Sequence, residues 1–279
     1  MILTHKDVLN ILPDRNPESH KGDYGKILLL CGSRGYTGAA ALAAMGALRS
    51  GAGLVYLGVP ESIYEIEAVK LNEPVVFPLP DENGMLCADS LSKIMELLPK
   101  MDAVLIGCGM GCSEQTYEVV KKVLENYSGP VVLDADGINV LSGHIDILRG
   151  RTGITVLTPH QVEFQRIGGI LTDDRIESAK ILAKQINSIV LLKGHNTVIT
   201  DGEKCFINHT GNPGMAVGGS GDVLAGIITS LIGQGIQPLE AAACGAWLHG
   251  AAGDLCAEQI GQYGMIPSDM LEVLPRLMK

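Results

Sequence analysis

The chain has 279 residues, a length that fits one large α/β domain or two small ones. Hydrophobic residues make up 46% of it and charged residues 19%, so a substantial core can be buried and global disorder is excluded. The formal net charge of −10 argues against nucleic acid and anionic membranes as partners, because both repel an acidic surface.

The cysteines and the N-terminus indicate the cellular compartment of the protein. Seven cysteines are scattered along the chain, an odd number without paired CxxC motifs, which argues against a disulfide framework or a zinc site. Cys108 and Cys112 lie in a glycine-rich turn, where packing of a small apolar side chain is the simplest role. No export signal precedes residue 12, and the longest apolar stretch, near residues 223–232, is too short to cross a bilayer. We therefore expect a soluble cytoplasmic protein with reduced thiols.

Short apolar runs alternate with turns and helical patterns along the first two thirds of the chain. Strands are predicted at residues 26–31, 54–59, 103–106, 131–133, 155–157, 189–192 and 197–200. Helices are predicted at residues 39–50, 61–70, 115–126, 174–186 and 239–259, with a further apolar helix from residue 223. This alternation predicts an α/β fold whose mainly parallel central sheet is flanked by helices on both faces. With no linker or repeat, residues 1–279 are expected to form a single domain.

Polar and glycine-rich segments follow the predicted strands. They are GSRG at 32–35, GCGMG at 107–111, DADG at 134–137, TPHQVE at 158–163 and KGH at 193–195. Because ligands of parallel α/β sheets bind beyond the carboxyl ends of the strands, these segments predict a binding site at that edge.

The strongest local signal is the segment GNPGMAVGGSGDVLAG at residues 211–226. Gly218, Gly219 and Gly221 allow backbone angles and a close approach that side chains would block. The loop runs into a predicted helix, so it brings backbone N–H groups and a helix N-terminus together, an arrangement that binds phosphate or stabilises an oxyanion. Asp222 is either the N-cap of this helix or a general base beside the phosphates, and spacing alone leaves both open.

The glycine loop resembles the anion-hole and catalytic-aspartate motif of the ribokinase-like superfamily. The whole segment 211–226 is similar to the signature of its ADP/ATP-dependent NAD(P)H-hydrate dehydratases. Further similar segments occur in family order, so that the resemblance covers nearly the whole chain. They are residues 20–55, LDADGINVL at 133–141, TPHQVEF at 158–164, KGHNTVITDG at 193–202 and LHGAAGD at 248–254.

The resemblance implies a ribokinase-like fold and a repair reaction. The substrate would be the S form of NADH or NADPH carrying a hydroxyl at C6 of the reduced ring (NADHX or NADPHX). ADP or ATP, with Mg²⁺, would phosphorylate this hydroxyl, and loss of phosphate would restore NAD(P)H, releasing AMP or ADP and phosphate. ADP is the expected donor. The resemblance also implies a homotetramer and, because the signature begins near residue 20, a separate NAD(P)H-hydrate epimerase as functional partner.

Site residues are carried over from the same motifs. Asp222 would remove the hydroxyl proton, while the N–H groups of Gly219, Ser220 and Gly221 would stabilise the transferring phosphoryl group. The hydrated dinucleotide would contact Ala40, Gly109, His160 and Asp222. The adenine nucleotide would contact Lys193, Gly194, His195, Asn196, Thr197 and Gly221, and Glu163 would hold magnesium through water. The family's usual Pro-Gly in this last motif is replaced by Gln161 and Val162.

Several of these residues also have purely structural interpretations. Asp134 and Asp136 either order water on magnesium or cap a turn, and Asn139 is equally open. Lys193 could be a solvated strand end, and Ala39 and Ala40 simply good helix formers. Other residues also have structural alternatives. Gly109 could form a tight turn, and His160 could be a structural residue. Asn212 and Pro213 could shape the loop, and His249 could pack inside a small-residue helix.

Two rival functions share these features. A small-molecule kinase of the same superfamily, of the hydroxymethylpyrimidine or hydroxyethylthiazole kinase type, would keep the fold, the loop and Asp222. A nucleotide sensor without catalysis is the second rival. The N-terminal block at 20–55 and the TPHQVE segment favour the dehydratase over the kinase, and the complete loop with its acidic residue argues against the sensor.

Overall fold

The computed structural model describes all residues 1–279 and is built around a nine-stranded sheet. The strands are β1 (Lys26–Leu30), β2 (Leu54–Pro60), β3 (Val75–Leu79), β6 (Ala103–Ile106), β7 (Val131–Leu133), β8 (Thr155–Leu157), β9 (Ile189–Leu192), β10 (Thr197–Thr200) and β11 (Cys205–Asn208), with a small hairpin of β4 (Asp81–Glu82) and β5 (Met85–Leu86) beside them. Their order is β11-β10-β9-β8-β7-β6-β1-β2-β3. All pairs from β3 to β9 are parallel, and β10 and β11 close one end as an antiparallel hairpin.

Eleven helices cover the sheet or cap its edges. They are α1 (His5–Ile11), α2 (Thr37–Arg49), α3 (Glu61–Lys70), α4 (Leu91–Leu97), α5 (Glu114–Asn126), α6 (Asp136–Asn139), α7 (Gln161–Arg166), α8 (Arg175–Ile186), α9 (Ser220–Gly233), α10 (Pro238–Ile260) and α11 (Pro267–Val273). None of them is both long and apolar enough to pass through a membrane.

The sheet separates two hydrophobic cores. Along β1, Ile27 and Leu29 belong to the core beneath α2, α9 and α10, whereas Leu28 and Leu30 belong to the core beneath α5 and α8. Alternate side chains of a strand point to opposite faces, so a central strand covered on both sides must be apolar at every position. The continuous apolar runs in the sequence arise from this double burial.

Helices α2 and α9 pack with almost no side chain between them. A Cβ atom at Gly226 would lie 2.1 Å from the Ala43 carbonyl oxygen, and one at Gly46 would lie 2.6 Å from the Val223 carbonyl oxygen. Only glycine permits backbones to approach this closely. The contact fixes α9, and with it the glycine loop at its N-terminus, above the carboxyl end of the sheet.

The structure confirms the predicted fold class. All seven predicted strands are present within one residue of their expected ends, and each predicted helix is present. The sequence did not predict the strands β3, β4, β5 and β11, the helices α1, α4 and α11, or the short helices α6 and α7. β3 was missed because it is an edge strand whose apolar run is interrupted by Pro78, a residue without an N–H for the sheet ladder.

Candidate active site

Hydrogen bonds join the five polar segments that follow strands at one edge of the sheet, and two of these segments, 158–163 and 193–195, contribute to the lining of a cavity of about 920 Å³. This volume falls within the range of sites that bind small molecules and cofactors. Eight predicted site residues line the cavity, namely His160, Lys193, Gly194, His195, Asn196, Thr197, Ser220 and Gly221. The others lie outside its lining, namely Ala40, Gly109, Glu163, Gly219 and Asp222.

A strained residue, Ala135, lies between two aspartates whose carboxylates have different partners. Ala135 has φ 49° and ψ −114°, a conformation that an L-residue adopts only under constraint. On one side, Asp134 is 2% exposed and accepts hydrogen bonds from Lys193 Nζ at 2.8 Å and Thr158 Oγ1 at 2.6 Å. On the other side, Asp136 accepts from the N–H of Gly111 at 2.8 Å. Asp136 therefore anchors the GCGMG turn, and this contact favours its structural interpretation.

Lys193 forms the cationic centre of an acidic pocket. Its Nζ lies 2.8 Å from Asp134 Oδ1 and 3.8 Å from Glu163 Oε2, and its side chain is 21% exposed. Burial disfavours the ammonium charge, yet Asp134 and Glu163 hold the pKa of Lys193 above its usual value. Burial also works against the Asp134 carboxylate, but Lys193 and Thr158 hold its pKa below its usual value. Both groups are therefore charged, and Lys193 is not a solvated surface residue.

Asp222 occupies a different position from the predicted cap. The N-cap of α9 is Gly219, with φ 97°, and Asp222 lies in the first helical turn. Oxygens of Asp222 and Asp134 and the Cys108 sulfur lie within 4.8 Å of one another. Burial, reinforced by repulsion from Asp134, raises the pKa of Asp222 to about 6, although Cys108 and Lys193 act in the opposite direction. A carboxyl with a pKa near neutrality is suited to accept a proton in catalysis.

Two predicted anion-binding N–H groups are free to bind a ligand. The N–H groups of Gly219 and Gly221 have no acceptor within the protein, whereas that of Ser220 points to the Val217 carbonyl at 3.4 Å. A Cβ atom at Gly221 would lie 3.4 Å from Lys193 Nζ. The helix N-terminus, the free N–H groups and the ammonium thus converge, as anion binding requires.

His160 and Glu163 form the start of α7. The His160 ring accepts from the N–H groups of Val162 at 3.1 Å and Glu163 at 3.2 Å, and Glu163 Oε2 accepts from the His160 N–H at 2.8 Å. This reciprocal capping box is kept although Gln161 and Val162 replace the usual Pro-Gly. The His160 side chain remains 53% exposed at the cavity, so capping and ligand contact are compatible.

The segment 193–197 is bent into a tight turn above the cavity. Gly194 has φ 146° and Asn196 φ 56°, while Thr197 Oγ1 donates to the Gly194 carbonyl at 2.8 Å. Asn196 Oδ1 lies 2.6 Å from His209 Nδ1 across the cavity mouth. The Arg175 guanidinium, which no sequence motif indicated, holds this turn by donating to the carbonyls of Leu192 and Lys193.

Ala40 and Gly109 form a second group, outside the lining of the cavity. Ala40 is fully buried, and its methyl lies 2.9 Å from where a Cβ at Gly32 would be. The neighbour of Gly109 is Ala39, whose methyl lies 2.7 Å from a Cβ built there, so any side chain at 109 would collide. The structure brings these two segments together. Contact of Ala40 and Gly109 with a dinucleotide stays a prediction.

Cys108 and His249 are buried, as their predicted packing roles require, and both also contact residues of the site. The Cys108 thiol donates to Asp134 Oδ2 at 3.7 Å, and its pKa is raised well above the usual value by the neighbouring Cys31 thiol and by burial. His249 lines the cavity, and its Nε2 lies 3.3 Å from Ser220 Oγ. Burial lowers the pKa of His249 to about 4, so the ring is neutral. The available signal for His249 was its place in the LHGAAGD segment.

A parallel sheet of this order, with a glycine loop leading into a helix at its carboxyl edge, defines a ribokinase-like protein. A ribokinase-like superfamily protein of Enterococcus faecalis superposes with a TM-score of 0.88 at 27% identity, over 99% of this chain and 94% of that one. The sequence model of the NAD(P)H-hydrate dehydratase family matches residues 27–276, and the chain belongs to this family. Both parts of the predicted resemblance are confirmed.

Individual proteins that this chain resembles include sequence relatives and solved structures. The chain is 45% identical over 275 residues to the bifunctional NAD(P)H-hydrate repair enzyme of Moorella thermoacetica, covering 96% of this chain and 52% of that protein. It thus spans about half the length of the curated relatives it matches. The ADP/ATP-dependent NAD(P)H-hydrate dehydratase of Bacillus subtilis, crystallised with ATP and Mg²⁺, has 33% identity and a TM-score of 0.85, covering 98% of this chain and 96% of that one. A hydroxyethylthiazole kinase of Pyrococcus horikoshii, at 18% identity and a TM-score of 0.68, shares the fold.

Proposed function

We propose that this chain dehydrates the S form of NADHX and NADPHX to NAD(P)H, using ADP or ATP and releasing AMP or ADP and phosphate. The observation that carries the proposal is the convergence of the Asp222 carboxylate, the free N–H groups of Gly219 and Gly221, and the Lys193 ammonium beside a cavity of nucleotide size. This set suits transfer of a phosphoryl group to a hydroxyl, and membership of the dehydratase family supplies the substrate. Residues 1–279 would act as one domain.

The chemistry divides between the protein and the substrate. Asp222 takes the proton of the C6 hydroxyl as its oxygen attacks the terminal phosphorus of ADP or ATP. The bond from that phosphorus to the bridging oxygen breaks, so that AMP or ADP leaves. The N–H groups of Gly219 and Gly221 stabilise the charge on the transferring group, with Ser220 between them. The ring nitrogen of the substrate then expels phosphate from C6 to leave an iminium ion, and loss of a C5 proton to the departing phosphate or to water forms the C5–C6 double bond and restores the dihydronicotinamide.

The carboxylates at the phosphate end fit a magnesium ion. Asp134 and Glu163 supply hard oxygen donors, the type that Mg²⁺ prefers, and Lys193 is the cation between them. Glu163 is 4% exposed and already caps α7, which suits a contact through water better than direct ligation. When bound, the ion would neutralise charge on the nucleotide phosphates.

Several assignments belong to this proposal. Ala40, Gly109 and His160 would bind the hydrated dinucleotide, and residues 193–197 with Gly221 the adenine nucleotide, with ADP as the donor. A homo-oligomer, with a tetramer as the specific expectation, and a cytoplasmic location complete it. An epimerase activity would convert the R form into the S form, and the bifunctional relatives carry names consistent with such a pairing.

Chemically hydrated NADPH tests the proposal directly. Protein, hydrated NADPH, Mg²⁺ and either ADP or ATP should give a nucleotide-dependent rise in reduced-nicotinamide absorbance, and the two nucleotides can be compared for preference. Without an epimerase the rise should stop when the S form is consumed. A stable phosphorylated product without regenerated dihydronicotinamide would mean that the protein is a small-molecule kinase of the superfamily and not a dehydratase. Tight ADP binding without any turnover would indicate a sensor.

The pH dependence of turnover should report Asp222. Its pKa of about 6 is raised, and only the deprotonated carboxylate can accept the hydroxyl proton. We therefore expect kcat/KM for hydrated NADPH to fall about tenfold for each pH unit below 6 and to be flat from pH 7 to 8. ADP affinity measured over the same range separates loss of catalysis from loss of binding. A flat profile down to pH 5 would contradict the base assignment.

A further inference from the structure

One face of α10 contacts the loop that forms a wall of the nucleotide cavity. The contacts come from the segment LHGAAGD, which the sequence singled out and the reaction does not use. His249, Gly250, Gly253 and Asp254 are spaced so that they lie on one side of the helix. Each of them meets a residue between 210 and 220.

Asp254 uses both carboxylate oxygens on this loop. Oδ2 accepts from the Gly211 N–H at 2.8 Å, and Oδ1 accepts from Asn212 Nδ2 at 3.0 Å. The Asn212 side chain is also engaged on its other side, where its Oδ1 accepts from the Gly214 N–H at 3.0 Å. Hydrogen bonds to a charged acceptor are stronger than neutral ones, so this two-pronged contact fixes the start of the loop firmly.

Two glycines of α10 let the loop lie against the helix. A Cβ atom at Gly250 would lie 2.2 Å from Thr210 Oγ1, and one at Gly253 would lie 2.3 Å from Met215 Sδ. His249 holds the far end of the loop through Ser220 Oγ. Helix α10 therefore contacts the loop at its start, at its middle and at its end. Loop residues 211–213 and 215–218 line the cavity.

We propose that Asp254 is a positioning residue for the adenine nucleotide. Its contacts with Gly211 and Asn212 keep the loop in the shape that leaves the cavity open for the nucleotide. The inference deepens the proposed function by assigning a residue to nucleotide binding, and it rests on that cavity being the nucleotide site. It requires no particular fate of the phosphoryl group.

Exchanging the two side chains tests the proposal. In Asp254→Asn, an amide N–H faces the N–H of Asn212, and in Asn212→Asp two carboxylates face each other. Each single variant should raise the Kd for ADP, measured calorimetrically with Mg²⁺, by about tenfold or more. The double variant Asp254→Asn/Asn212→Asp restores one donor and one acceptor, still serves the N–H groups of Gly211 and Gly214, and should return Kd to within about threefold of wild type.

Controls separate positioning from folding. Glu258→Gln removes an exposed acid from the same helix and should leave Kd unchanged. Where turnover is measured, the KM for the nucleotide should rise in the single variants while the KM for hydrated NADPH stays constant. Wild-type affinity for ADP in Asp254→Asn, or a double variant that is folded but no tighter than the singles, would overturn the inference. If the wild-type protein binds ADP but does not dehydrate hydrated NADPH, only the proposed function is overturned.

Discussion

Asp222→Asn should lose about three orders of magnitude in kcat while binding ADP as tightly as wild type, because a positioned general base contributes about 10²- to 10⁴-fold. The amide keeps the shape of the carboxylate but accepts no proton. It leaves in place the unpaired N–H groups of Gly219 and Gly221, which under the proposed function would bind the phosphates. Fixed-time assays with hydrated NADPH measure the loss of kcat, and calorimetry with ADP measures the affinity separately. Turnover within tenfold of wild type would remove Asp222 from the role of base.

The same variant should be more stable than wild type at neutral pH. The pKa of Asp222 in the folded protein, about 6, lies above its ordinary value of 3.8, so the folded state binds the extra proton in between. Stability contributed by this group therefore falls as pH rises from about 4 to about 6, and the charge is fully unfavourable above that range. Replacing it should raise the free energy of unfolding by about 1 to 3 kcal/mol at pH 8 and by little at pH 4.

A surface carboxylate supplies the control for this effect. Asp173 is exposed, and Asp173→Asn should change neither turnover nor unfolding by urea. Equal stability of Asp222→Asn and wild type at pH 8 would mean that Asp134 and burial do not destabilise the Asp222 carboxylate. Gain of stability with loss of function is the pattern expected of an active-site residue held in an unfavourable environment.

Lys193→Met should destabilise the fold by about 3 to 5 kcal/mol, the usual result of leaving a buried charge without its partner. Asp134, at 2% exposure, would keep only Thr158 and the weak Cys108 thiol as donors. The free energy of unfolding in urea, measured at pH 7, gives the effect. ADP affinity should fall as well, because the ammonium lies beside Gly221, where the proposed function places the nucleotide phosphates.

A second substitution isolates the ion pair. In Lys193→Met/Asp134→Asn the carboxylate closest to the lysine is also neutralised, and Glu163, 3.8 Å from the lysine, still accepts from the His160 N–H, so much of the lost stability should return while ADP affinity stays low. Lys6→Met removes an exposed lysine and should change neither quantity. Because Lys193 lowers the pKa of Asp134, the single variant should also approach wild-type stability as pH falls and Asp134 takes up a proton. A single variant as stable as wild type at pH 7 would show that the pair contributes nothing.

The sequence by itself determined the fold and the edge where the site lies. Central strands are covered on both faces, so they must be apolar throughout, and this pattern is local enough to be visible in single runs such as residues 26–31. The glycine loop is also a local feature, because its backbone angles depend on the residues themselves. Edge strand β3 escaped prediction because Pro78 interrupts its apolar run, and hairpin strand β11 because only one of its four residues, Phe206, is buried.

Tertiary structure alone decided what the site residues contact. Lys193 and Asp134 are 59 positions apart, and Asp254 and Asn212 are 42 apart, so neither pair shares a local pattern. The strain at Ala135 is likewise invisible in the sequence, since alanine carries no sign that neighbouring loops will hold it at φ 49°. Asp222 has the residue type of an N-cap, and only the packing of α9 against α2 moves the helix start to Gly219 and leaves that carboxylate beside Asp134. Local propensity sets the elements, whereas charge pairing and pKa depend on distances that only the folded chain defines.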